Sequence, residues 1–320
     1  MMNSLLVGLA FAATALAEGR TSAPSGCVTV ASSGGDFKTI QAAVDSTPDC
    51  IFITAGTYKE QVVIKSKTTL YGYTSDISSY AGNKVTITAS KSQADGSTND
   101  ESGTVRVLAS NVKLYNINVE NSYGEGSQAV ALSAQADSGY YGCSFTGFQD
   151  TVLSNKGSQL FSKSLIQGAT DFIFGQQAAT WFEGCDLRVP AKSLGYITAN
   201  GREDASSSSY YVFNNCDIAG VSGSSVPEGA YYLGRPWRAY ARVVFQNTAM
   251  TNVINSKGWS IWNTGDERTG NVLFGEYKNS GDGASGTRAS FATTLSSAVS
   301  IASILGSSYS SAGYYDASYM

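Results

Sequence analysis

An all-β solenoid, a parallel β-helix, is the fold class this sequence predicts, on three observations. The first is a recurring pattern of short strands. An aromatic or Leu residue, a small or medium residue three later and an apolar residue five later recur as Leu114/Ile117/Val119, Tyr140/Cys143/Phe145, Phe161/Ser164/Ile166, Phe182/Cys185/Leu187, Phe213/Cys216/Ile218 and Phe245/Thr248/Met250. Successive starts lie 26, 21, 21, 31 and 32 residues apart. Second, positions pointing alternately to the two faces mark strands, and the unequal spacings then fall in loops. Third, helical periodicity is nearly confined to 39–46 and 293–305, and periods of about 20 to 30 residues without heptads or blade motifs favour a coil of stacked strands.

In that coil the middle column (Ile117, Cys143, Ser164, Cys185, Cys216, Thr248) faces inward. Cys143, Cys185 and Cys216 therefore read as core residues, with Cys185 and Cys216 on consecutive turns and able to bridge. Cys27 and Cys50 flank a Gly-rich turn and an amphipathic stretch, and a disulfide is expected there. The stretch 37–46 carries Ile40, Ala43 and Val44 on one face, which suits a helix covering the open amino-terminal end, because terminal repeats need a cap. Residues 295–305 are expected to pack as a helix against the outside. The Ser/Tyr/Gly-rich end, 306–320, reads as loosely held.

Residues 1–17, MMNSLLVGLAFAATALA, join an apolar run to a small-x-small pattern at Ala15-Leu16-Ala17 and read as a signal peptide. The remainder, 18–320, is then one catalytic domain, secreted and extracellular, since no later apolar run approaches the roughly 20 residues of a membrane span. A net charge of −4 gives no basic footprint for nucleic acid. It also suits a neutral or partly neutralised polymer better than a dense polyanion.

The chain has no histidine. That removes a Ser-His-Asp triad, a Cys-His dyad and a His-ligated metal, and leaves acid–base work to carboxylates, Lys, Tyr or Cys. Asp150 follows Tyr140 by ten residues and Asp171 follows Phe161 by ten. Equal offsets in adjacent turns of equal length bring both carboxylates to one face, about 4.8 Å apart. Two such acids cannot both ionise freely, so one keeps its proton beside an ionised partner. Solvated turn aspartates are the plain alternative, but both interrupt apolar stretches, where an unpaired charge is costly. Arg235, in Leu233-Gly234-Arg235-Pro236-Trp237, can hold a carboxylate with its planar guanidinium, and Trp237 offers a face to a sugar ring. Gln128 and Gln149 carry amides able to donate to an oxyanion, or simply to extend a side-chain ladder.

At these residues the chain resembles the pectin methylesterases, carbohydrate esterases built on a right-handed parallel β-helix. Gly56-Thr57-Tyr58-Lys59-Glu60, Gln128-Ala129-Val130-Ala131-Leu132, Gly147-Phe148-Gln149-Asp150-Thr151, Gly168-Ala169-Thr170-Asp171-Phe172-Ile173-Phe174-Gly175 and Leu233–Trp237 carry the resemblance in the family's order. The resemblance implies that Asp171 attacks the C6 ester carbonyl of a methylated galacturonate and that Asp150 serves as acid and then base. It further implies that Gln128 and Gln149 stabilise the oxyanion, that Arg235 orients Asp171, and that Trp237, Phe174 and Trp262 line the sugar cleft. The implied substrate is methyl-esterified homogalacturonan, with no metal, no organic cofactor, no nucleic-acid or membrane partner, and a monomeric enzyme of the fungal type, without an inhibitor-like amino-terminal domain. The segment Gly124-Glu125-Gly126-Ser127 lacks the bulkier residues common before this Gln in plant members. Rival readings are a pectin-degrading glycoside hydrolase, whose retaining form also places carboxylates about 5 Å apart, a Ca²⁺-dependent pectate lyase, and a non-catalytic carbohydrate-binding coil.

Overall fold

In a computed structural model, which describes residues 18–320, the chain winds as a right-handed parallel β-helix of three sheets with eleven, seven and eight strands. Within each sheet the strands run in chain order, so each turn of the coil adds one strand to each wall.

The aromatic column of the sequence is a register column of the structure. Leu114, Tyr140, Phe161, Phe182, Phe213 and Phe245 are successive partners across the eleven-stranded sheet. Val119, Phe145, Ile166, Leu187, Ile218 and Met250 are successive partners across the eight-stranded one. Both columns are buried in the central core. The rings of Tyr140, Phe161, Phe182, Phe213 and Phe245 stack at centroid separations of 4.4, 4.9, 4.2 and 4.3 Å. Such stacked pairs add about 0.5–1.5 kcal/mol each beyond the area they bury, which favours this register over its neighbours.

Between these two sheets the chain turns a corner through one residue in the left-handed region. Asn116, Gly142, Lys163, Gly184, Asn215, Asn247 and Lys278 have φ between 48° and 56°. At each of the six corners from Asn116 to Asn247 the left-handed residue's N–H donates to a backbone carbonyl on the next turn, at 2.9–3.2 Å. The middle column sits one residue further on and is buried throughout, as its small side chains require.

The three interior cysteines are free thiols. Cys185 and Cys216 do not bridge. Instead Cys185 Sγ donates to the Phe161 carbonyl at 3.6 Å and Cys216 Sγ to the Asn214 carbonyl at 3.4 Å, so both behave as core residues with their S–H satisfied. Cys27 and Cys50 do form a disulfide, with Cα atoms 4.7 Å apart.

The amino-terminal cap is the helix Ile40–Asp45, with Ile40, Ala43 and Val44 buried against the coil. Glu60 receives the N–H groups of Ile40 and Gln41 at 2.9 Å each, serving two of the orphan donors at the helix start. The carboxy-terminal helix is shorter than its periodicity suggested. Ala292–Thr294 is a strand that closes the eleven-stranded sheet, and only Ile301–Leu305 is helical. Pairing with the exposed edge of the preceding strand outweighs helix propensity there. Ile304 and Leu305 pack on the outer face of that sheet with Trp181, Val212 and Val244.

The last segment, 306–320, is held and not loose. Tyr314 and Tyr319 are buried, Tyr319 Oη donates to the Ile77 carbonyl at 2.7 Å, and Ser162 Oγ donates to the Tyr319 carbonyl at 2.6 Å. Tyrosine rings bury apolar area while their hydroxyls find acceptors, which composition alone does not convey.

Candidate active site

Asp150 and Asp171 occupy the same place in adjacent turns. Each lies two residues ahead of a strand of the seven-stranded sheet, Val152–Ser154 and Ile173–Gly175, and those strands pair in register. A bridge between Gln149 and Thr170 and a 3.0 Å hydrogen bond from Asp150 N to the Thr170 carbonyl extend that register to the aspartates. Both have positive φ, 65° and 49°. This conformation costs an ordinary L-residue about 1–2 kcal/mol, and Asp is among the residues that tolerate it best.

Both carboxylates are buried, with 6% of each residue exposed. Burial pushes Asp150 well above the usual carboxylate range, and the charge of Asp171 beside it pushes the same way. Burial also raises Asp171, but there the Arg235 guanidinium works against it. Arg235 Nε and Nη2 donate to Asp171 Oδ1 and Oδ2 at 2.9 and 2.7 Å, a planar bidentate contact that Asp150 lacks. The pair is therefore asymmetric: the arginine favours the anion at Asp171, while burial and the neighbouring carboxylate favour the proton on Asp150.

The loop that delivers Arg235 is fixed by its backbone. Arg235 N donates to the Thr198 carbonyl at 3.0 Å and Trp237 N to the Asn200 carbonyl at 3.1 Å. Gly234 passes so close to Thr198 that a Cβ would come within 2.0 Å of its Oγ1. No other residue fits there without moving the strand. The guanidinium also lies over two rings, Tyr196 at 4.1 Å and Trp262 at 4.4 Å.

A cleft of about 240 Å³ opens over the aspartates, lined by Gln93, Asn99, Gln128, Gln149, Phe174, Ala199, Trp237 and Trp262 as well as Asp150 and Asp171. Every residue singled out from the sequence thus converges on one place, with Arg235 just behind the wall. Phe174 and Trp237 meet with their rings tilted by 55° at a centroid separation of 6.0 Å. Gln128 and Gln149 are half-buried on the aspartate side. Among the described residues no group of three or more His, Cys, Asp or Glu converges in a metal-ligand arrangement.

Sequence reasoning missed Gln93, Asn99, Ala199 and Tyr196. Gln93 Nε2 donates to Asn99 Oδ1 at 2.6 Å, and Gln93 N donates to the Gln128 carbonyl at 2.9 Å. These two sit in a loop between turns, outside every repeat column. Tyr196 had a signal, an aromatic residue at an outward strand position, but one shared with many unremarkable tyrosines.

Two acids in unequal environments, an arginine fixing one of them, amides alongside and indole walls compose a site suited to acyl transfer on a sugar. Comparison with known proteins agrees. The pectinesterase family pattern matches residues 27–301. The chain belongs to the pectinesterase family. A pectinesterase of Aspergillus aculeatus is 51% identical, with both chains covered in full. The crystal structure of the pectin methylesterase from Aspergillus niger superposes with a TM-score of 0.87 at 44% identity, covering 94% of this chain and 100% of that one. Pectin methylesterase from carrot matches with a TM-score of 0.82 at 31% identity, over 92% of this chain and 98% of that one. The protein is accordingly a carboxylic ester hydrolase with pectinesterase activity. No helix among the described residues is long and apolar enough to cross a membrane.

Proposed function

We propose that this pectinesterase hydrolyses the C6 methyl esters of homogalacturonan with Asp171 as nucleophile and Asp150 as acid and base. The observation that carries the reading is the asymmetry of the pair, since only Asp171 has the bidentate arginine. Asp171 attacks the ester carbonyl and forms a tetrahedral oxyanion, to which the amides of Gln128 and Gln149 donate. The intermediate collapses, the C6–OCH₃ bond breaks, and Asp150 gives its proton to the departing oxygen. Methanol leaves, and a mixed anhydride joins Asp171 to the galacturonate. Asp150, now a carboxylate, takes a proton from water as that water attacks the acyl carbon. Asp171 is released as an anion, the product carries a free carboxyl group, and Asp150 is again protonated.

Trp237, Phe174 and Trp262 would face the sugar rings, and the enzyme acts as a monomer without metal or organic cofactor. Residues 1–17, outside the described residues, serve as the export leader of a secreted protein whose remainder is one catalytic domain. The test is product analysis on methyl-esterified pectin. Methanol is expected, with no fall in chain length and no unsaturated ends. Viscosity loss or unsaturated product without methanol would sink the esterase mechanism in favour of a hydrolase or lyase.

A further inference from the structure

Arg235 owes its place to more than Asp171. Its guanidinium lies over Trp262, and the guanidinium of Arg268 lies over the same indole at 4.8 Å. Trp262 opens a short hairpin. Trp262 N donates to the Glu267 carbonyl, Asn263 and Asp266 exchange backbone hydrogen bonds, and Gly265 turns with φ 83°. With the Asn263 amide oriented to satisfy both partners, its oxygen accepts from Trp262 Nε1 at 3.1 Å.

Arg268 closes this hairpin from an unusual backbone, φ 58°, in the left-handed region. Three contacts accompany that conformation. Arg268 Nε and Nη2 donate to the Asp266 carboxylate at 3.0 and 2.6 Å. Arg268 Nη1 donates to the backbone carbonyl of Trp237, the other indole wall of the cleft. Its plane covers Trp262. An exposed ion pair with Asp266 is worth too little to explain a left-handed arginine, whereas a link between the two tryptophans gives that conformation a purpose.

We propose that Arg268 is a positioning residue for the esterase reaction, strapping the Trp262 hairpin to the Trp237 loop so that Trp262 confines Arg235 in the plane of Asp171. The proposal rests on the reading of Asp171 as the nucleophile. Arg268 touches neither aspartate and acts through Trp262 and Arg235. The charged and titratable groups around the Asp171–Arg235 contact are Asp150 and Tyr196, with Arg268 beyond the indole.

The test compares Arg268→Ala, Arg268→Lys and Trp262→Phe with the wild type in full pH profiles of kcat and KM on methyl-esterified pectin. Arg268→Ala is expected to lower kcat about tenfold, as a loosened constellation does. It should also move the acid limb of kcat to higher pH, since a less firmly held guanidinium no longer keeps buried Asp171 ionised. Arg268→Lys keeps the charge but loses the fork, and should recover less than half of the loss. Trp262→Phe keeps a ring over Arg235 and should fall between wild type and Arg268→Ala. A raised KM with unchanged kcat and acid limb would make Arg268 a substrate contact and overturn the proposal. So would a lower melting temperature with an unchanged profile in the folded fraction. If instead Asp171→Asn proves active, the nucleophile assignment itself has failed, a result separate from either of these.

Discussion

Two corners of the coil use the same backbone conformation for different ends. Where the eleven-stranded sheet meets the eight-stranded one, seven successive turns pass through the left-handed region at Asn, Gly or Lys. Where the eight-stranded sheet meets the seven-stranded one, Asp150 and Asp171 adopt it on adjacent turns. At the first corner the residue type varies, because the backbone hydrogen bond to the next turn does the stacking, and where the residue is Asn its amide adds only structural hydrogen bonds, from Asn116 to the Ser79 carbonyl, from Asn215 to Glu183 and from Asn247 to Asn214. At the second, both residues are aspartates, buried and aimed into a cleft. A left-handed corner thus turns the chain at either place, but only at the second does it also present side chains that the fold would be more stable without.

That contrast is broken most forcefully at Asp150. On the proposed mechanism Asp150→Asn cannot deliver a proton to methanol, and kcat should fall by about 10³-fold, the middle of the range for general acid–base residues. The same change should stabilise the protein at neutral pH. Because the folded-state pKa of Asp150 is raised, the folded protein holds that proton more tightly than the unfolded chain. Stability from this group is therefore lost as pH rises from the unfolded value of about 3.9 through the folded one. Thermal melts should show Asp150→Asn gaining over wild type at pH 7 and losing that gain below about pH 3.9. An unchanged difference across that range would mean Asp150 is ionised at little cost.

Arg235→Lys sharpens the difference between the two acids. An ammonium cannot match both oxygens of Asp171, and kcat should drop by about 10²-fold, measured as methanol release. Wild-type turnover would leave Arg235 a structural residue. The smallest effect belongs to the first corner. Gly184, at φ 56°, has nothing within 4 Å of where a Cβ would stand. Gly184→Ala should therefore cost only the backbone preference, about 1 kcal/mol in denaturant titration, with activity per folded molecule unchanged.

The aromatic columns were legible in the sequence because a stacked coil demands a bulky apolar residue at one register position in every turn, and Leu114 to Phe245 supply it without interruption. Equal offsets then carried the register to Asp150 and Asp171. The corner ladder was harder to read, since Asn, Gly and Lys share no chemistry and only their common place before the middle column unites them. Pairing of Arg235 with Asp171, 64 residues away, came from the family motif, as periodicity carries no information across irregular turns. Tyr196, whose signal was a common one, and Arg268, which had none, escaped for a related reason: their importance lies in which ring or carbonyl they meet. Cys185 and Cys216 sit one turn apart, as a bridge would need, yet each thiol satisfies itself on a carbonyl of the ladder. The Ser/Tyr-rich end looked loose by composition and is anchored by tyrosines.

Whether Asp171 is the nucleophile is decided by methanol release from methyl-esterified pectin by Asp171→Asn, with folding verified by a cooperative melt. Asparagine is at ease in the left-handed region and similar in volume, so the corner should survive. A folded protein with activity reduced by about 10⁴-fold or more is expected, as for loss of a nucleophile. Near-normal methanol release from that folded variant would contradict it.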